Sequence, residues 1–208
     1  MENNWAAENL QTIRTIMERS ALYRRALAPI MIFVGAVVII GGIIGWLMQI
    51  DSARGFVFFW AGIATVALAG AFLLVRRQAL KDSELFWSPP ARRVTQAALP
   101  SFFIGAFVGF FFAWENIDGG TSFFVIVGWC WLFGCALHAA GFFMSRGIKW
   151  FGWFFVITGC VLIVCFLSEF EVMQIIYLPH LIMGGIFGGL HLAYGIYLYF
   201  TEKKNPAA

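Results

Sequence analysis

The sequence predicts an all-α fold, a six-helix transmembrane bundle behind an amphipathic N-terminal helix. Three observations carry this. First, 61% of the 208 residues are hydrophobic and 12% are charged, against roughly half and a quarter in a soluble domain. Second, residues 29–50, 56–75, 97–114, 123–144, 150–168 and 172–200 are apolar runs without Asp, Glu, Lys or Arg. A helix needs about 20 such residues to cross a bilayer. Third, the charges partition by loop.

Each element follows in order. Residues 4–27 fit an amphipathic helix at about 100° per residue, with Trp5, Leu10, Ile13, Ile16, Met17, Tyr23 and Leu27 on one arc. Such a helix lies in the membrane interface, on the bundle's own end, or on a partner. Pro29 opens or kinks the first span. The runs are continuous rather than alternating, so each backbone must satisfy itself helically; a β-barrel would show dyad strands. The segment 76–96 is the largest interior loop. Within it Phe86 and Trp87 suit the headgroup zone, and Ser88-Pro89-Pro90 marks a helix start. The expected organisation is therefore residues 1–28 as the amphipathic helix, 29–200 as the spanning domain and 201–208 as a cytoplasmic tail.

All Lys and Arg except Arg54 lie before the first span, between the second and third, between the fourth and fifth, or after the sixth. The remaining loops hold Asp51, Glu115, Asp118, Glu169 and Glu171. Basic residues mark the cytoplasmic side, so both termini are expected there. An odd number of spans would break the partition. A net charge of +3 is too small to suggest nucleic acid as a partner.

Glycines recur at helical spacing: Gly41 and Gly45, Gly105 and Gly109, Gly184 and Gly188, Gly185 and Gly189. These let backbones approach closely, either within the bundle or in a homodimer, for which the doubled pattern 184–189 is the best candidate. Leu99-Pro100 and Leu178-Pro179 are followed by glycines at equal offsets, a short echo that would fit two inverted halves of three helices.

Chemistry-bearing residues are few. His138 and His191 lie deep in the fourth and sixth spans, at depths differing by about 6 Å. Facing each other, they would hold a haem iron, bind a metal with Cys135, or relay protons. Otherwise each hydrogen-bonds a backbone carbonyl or hydroxyl in a neighbouring helix. His180, beside Pro179, is expected near the outer face, in water and without a role. Cys130, Cys135, Cys160 and Cys165 all sit within spans, where Cys packs as a small apolar residue. No metalloprotease, nucleophile-elbow, phosphate-loop or haem-attachment motif is present, so no enzyme activity is expected.

Two stretches, QTIRTIMERSALYRRALAP at 11–29 and WSPPARRV at 87–94, resemble a group of small bacterial multi-pass membrane proteins without an assigned activity. The resemblance covers about a quarter of the chain, implies a bacterial inner-membrane setting and transfers no site residue. The leading expectation is a non-enzymatic structural or regulatory membrane component. Its partners would be the bilayer and either a second copy or another membrane or cytoplasmic protein, touched through residues 4–27 and 76–96. The alternative is a small transporter or channel for a neutral or lipid-like solute, and the third is a b-type haem protein on His138 and His191.

Overall fold

The computed structural model describes residues 27–81, 87–115, 120–144, 146–167 and 178–204. Six helices are long and apolar enough to cross a membrane. We number them α1 (Leu27–Leu47), α2 (Ala53–Lys81), α3 (Pro89–Glu115), α4 (Thr121–Ala140) and α5 (Arg146–Leu167). The last, α6, runs through Pro179–Met183, a π-helical turn Gly184–Gly188, and Gly189–Lys204. No strand occurs among the described residues. The bundle has a basic end, carrying Arg76, Arg77, Lys81 and Lys149, and an acidic end, where the α1–α2 turn, the close of α3 and the start of α6 meet.

Local chemistry sets the boundaries. Gln49 takes a left-handed φ of 51° and ends α1. Ser52 then caps α2, its Oγ accepting the Gly55 N–H at 3.1 Å. With 29 residues, α2 is about 44 Å long, longer than the ~30 Å hydrocarbon core. Its last turns therefore project at the basic end. α3 starts at Pro89 directly after Ser88, whose carbonyl accepts the Arg92 N–H at 3.1 Å. Gly120, with φ 87°, turns the chain into α4.

Burial separates the helices. α1, α4 and α6 bury 39, 44 and 39% of their spanning windows; α2, α3 and α5 bury 17, 17 and 22%. α4 packs on α3 and α5 and also touches α2 and the first turn of α6. Its crossing with α5 depends on two glycines. A Cβ on Gly134 would fall 2.7 Å from the Gly152 carbonyl, and one on Gly152 equally close to the Gly134 carbonyl. The core is apolar and aromatic, with Phe56, Ile126, Cys130 and Phe155 fully buried.

Several expectations change in detail. The interior segment 76–96 is mostly helix, because α2 continues to Lys81 and α3 begins at Pro89. The fourth span stops at Ala140, where Gly141 and Phe143 make closing turn bonds to Leu137 and Ala140. The last helix opens at Pro179, and residues 172–177 of the expected run lie outside the described residues. Of the two prolines in the short echo, Pro100 lies inside α3 and Pro179 opens α6. The amphipathic helix, with Trp5, Leu10, Ile13 and Met17, and Phe86 of the 76–96 segment fall outside the described residues.

Candidate functional site: a cleft at the acidic end

The first and last spans meet backbone to backbone. A Cβ on Gly42 would lie 2.8 Å from the His180 carbonyl and 2.9 Å from the Gly184 Cα. Gly35 sits as close to Leu192 and Gly188, and Gly195 to Ile32. Only glycine permits this approach. Of the glycines singled out by spacing, Gly41 packs on Ile63, Gly45 on His180, Gly105 on Trp129, and Gly184 and Gly188 on α1. Gly109 makes only ordinary contact with Trp129 and Val57, while Gly185 and Gly189 have no neighbour within 4 Å. Gly35, Gly42 and Gly195 escape a search for i,i+4 pairs. Their signal is a seven-residue spacing, 35 to 42 and 188 to 195, which returns to the same face after two turns.

This tight contact delivers His180 to the centre of the acidic end, contrary to the expectation of a solvated residue without a role. It is 4% exposed. Its Nε2 donates to the Ile50 carbonyl at 3.0 Å, joining α6 to the α1–α2 turn. The imidazole packs at 4.9 Å from Phe56 and 5.3 Å from Phe59, and stacks on Trp60 at 6.1 Å. Gly45 leaves room for the ring on the α1 side. A proline-histidine pair at a helix start, opposite a run of α1 glycines, was the available signal.

Beside this ring opens a cleft of ≈ 300 Å³ lined by Gly45, Trp46, Leu47, Gln49, Ile50, Asp51, Leu178, Pro179 and His180. Its volume is at the lower limit of small-molecule pockets. Asp51 and Gln49 are exposed and give it a carboxylate and an amide; Trp46 gives it an indole face. Among the described residues no Lys or Arg lines it. The nearby Arg54 is engaged elsewhere. Its Nε donates to the Ala113 carbonyl at 3.1 Å and its Nη2 to the Trp114 carbonyl at 3.3 Å. This explains the one basic residue at the acidic end: it caps the final turn of α3, where carbonyls have no helical partner.

His138 and His191 are not brought together. His191 packs against Phe151 and Phe155 of α5, at 5.2 and 5.6 Å. His138 packs against Trp153 of the same helix, at 5.7 Å. Residue 153 points about 160° away from 151 and 155, so the two imidazoles rest on different faces of α5. His191 is caged by Phe133, Phe151 and Phe155, and its Nδ1 donates to the Phe187 carbonyl at 2.6 Å. The acceptor lies four residues back in its own helix, inside the π-helical turn. His138 Nδ1 is buried and unpartnered. Cys135 is exposed while Cys130 is buried. Among the described residues, no three His, Cys, Asp or Glu side chains cluster as metal ligands. Trp87 is exposed just before α3.

Fold and site together define a class, a multi-pass helical membrane protein with a glycine-sealed α1–α6 contact and a polar cleft beside it. Compared with known proteins, the chain matches no family model, no curated protein and no solved structure.

Proposed function

We propose that this chain is a non-enzymatic membrane protein that binds a small, neutral, hydroxyl-rich molecule, a polyol, sugar or glycolipid headgroup, in the acidic-end cleft. The observation that carries the reading is the cleft's chemistry. Trp46 offers a flat apolar face, Gln49 both donates and accepts, Asp51 accepts, and the absence of Lys and Arg from the described lining disfavours anions. A non-catalytic role is supported by the described lining, which holds no Ser, Thr or Cys nucleophile beside His180. By the charge rule the basic end faces the cytoplasm of a bacterial cell and the cleft opens outward.

The test is thermal unfolding in a sugar-free detergent with a panel of glycerol, inositol and hexoses. At least one member should raise the midpoint of the wild type, and the rise should vanish in Trp46→Ala and Asp51→Leu. A panel without effect, or a rise that survives both substitutions, refutes the reading.

A second reading rests on Gly185 and Gly189, where an added Cβ would meet nothing within 4 Å among the described residues. With exposed Ala193 they form a small-residue ridge of the kind that packs membrane helices, and a second copy is the occupant we propose. Gly189→Leu should abolish a crosslinkable dimer in lipid vesicles; an absence of dimer in wild type would rule this out.

A further inference from the structure

His180 and Trp60 carry a complementary pair of unsatisfied atoms. The Ile50 carbonyl only accepts, so His180 Nε2 holds the proton of its bond, and Nδ1 of the neutral ring is an acceptor. Among the described residues that Nδ1 is buried without a partner. Trp60 Nε1 only donates, and it too is buried without a partner among the described residues. The residues are 4% and 7% exposed, and their rings stack with centroids 6.1 Å apart. The other aromatic neighbours, Phe56 and Phe59, supply no polar atom. Orphaned buried groups are rare in folded proteins. Here a donor lacking an acceptor and an acceptor lacking a donor occupy adjacent side chains.

We propose that a single hydroxyl oxygen bridges them, accepting from Trp60 Nε1 and donating to His180 Nδ1. Few groups meet this requirement. A carbonyl would serve only the indole and an ammonium only the imidazole, whereas a hydroxyl serves both. Two sources share the chemistry: a bound water, which such a site holds when two or more polar groups converge, or a hydroxyl of a solute in the cleft that His180 lines. Only the second source rests on the proposed binding role.

The experiment is indole ¹⁵N–¹H spectroscopy of the full chain in sugar-free micelles. Trp60→Phe assigns the resonance by its loss. Wild-type Trp60 N–H is expected at a hydrogen-bonded shift, with a cross-peak to a long-lived hydroxyl. In His180→Gln, whose amide keeps a donor for the Ile50 carbonyl but removes the Nδ1 acceptor, the resonance should move and the cross-peak should weaken or disappear. Without added solute, a cross-peak at the water frequency assigns the oxygen to water. If a solute that raises the unfolding midpoint replaces that peak with one to its own protons, the oxygen belongs to the solute. A cleft that binds nothing leaves the water result standing and removes only the binding role. A free-indole shift without any cross-peak, unchanged in His180→Gln, overturns the bridge.

Discussion

Replacing Gly42 with alanine tests the packing argument most directly. The added methyl carbon would sit 2.9 Å from the Gly184 Cα and 2.8 Å from the His180 carbonyl. Carbon atoms prefer about 3.5–4.0 Å. The obstacles are backbone atoms, so no side chain can rotate away, and α1 must withdraw from α6 by up to about 1 Å. Overpacking of this kind costs about 1–3 kcal/mol, or roughly 5- to 150-fold in the folded-to-unfolded ratio at 1.4 kcal/mol per decade. Gly185→Ala is the matched control, because the same helix presents that position to open space. There alanine removes the helix penalty of glycine and should be neutral or stabilise by up to about 1 kcal/mol. Unfolding of monomeric protein by a rising mole fraction of sodium dodecyl sulfate in mixed micelles, followed by circular dichroism, compares the two. Equal midpoints for Gly42→Ala and wild type would refute the backbone contact; equal losses at both sites would show that glycine matters for some reason other than proximity.

Two further outcomes follow from the same structure. Arg54→Ala should destabilise by about 1 kcal/mol by uncapping the last carbonyls of α3, and Arg54→Lys should recover only part of this, because one ammonium cannot reproduce the guanidinium fork; full recovery in the micelle titration would contradict the two-carbonyl geometry. His191→Leu should cost about 1–3 kcal/mol through the lost bond to Phe187, and wild-type protein from haem-supplemented cells should lack a Soret band, since the two imidazoles rest on different faces of α5. A band abolished by His191→Leu would contradict that placement.

The fold was legible because its cause is one-dimensional. Charge-free runs of bilayer length force helices, and loop charges count the crossings. Helix ends were less legible where polar residues do not stop a helix, as at Arg76 and Arg77, which α2 simply carries past the hydrocarbon. The site was barely legible. His138 and His191 attract attention by their depth, yet depth says nothing about azimuth, and their azimuths set them against different faces of α5. His180 was misjudged for the converse reason. A position near a span end suggests water, but whether water reaches it depends on a neighbouring helix. Here glycines at 42 and 45 of α1 allow that helix to close over the ring.

The acidic end also shows why a protein with such short connections needs side chains to finish its backbone. The last carbonyls of helix α3 have no partner within the helix, and the α1–α2 turn leaves the Ile50 carbonyl outside any helix. Buried or interfacial carbonyls without donors are costly where water is scarce. Arg54 supplies one donor set and His180 the other, from residues more than a hundred positions apart in sequence. The first turn of α2 is therefore tied to α3 through Arg54, and the α1–α2 turn to α6 through the Ile50 carbonyl. These bonds add to the local devices, the left-handed Gln49 and the Ser52 cap, in holding the cleft wall formed by Gln49, Ile50 and Asp51. Loosening either should disturb that wall before it unfolds the bundle, in which α2, α3, α5 and the start of α6 remain packed on α4.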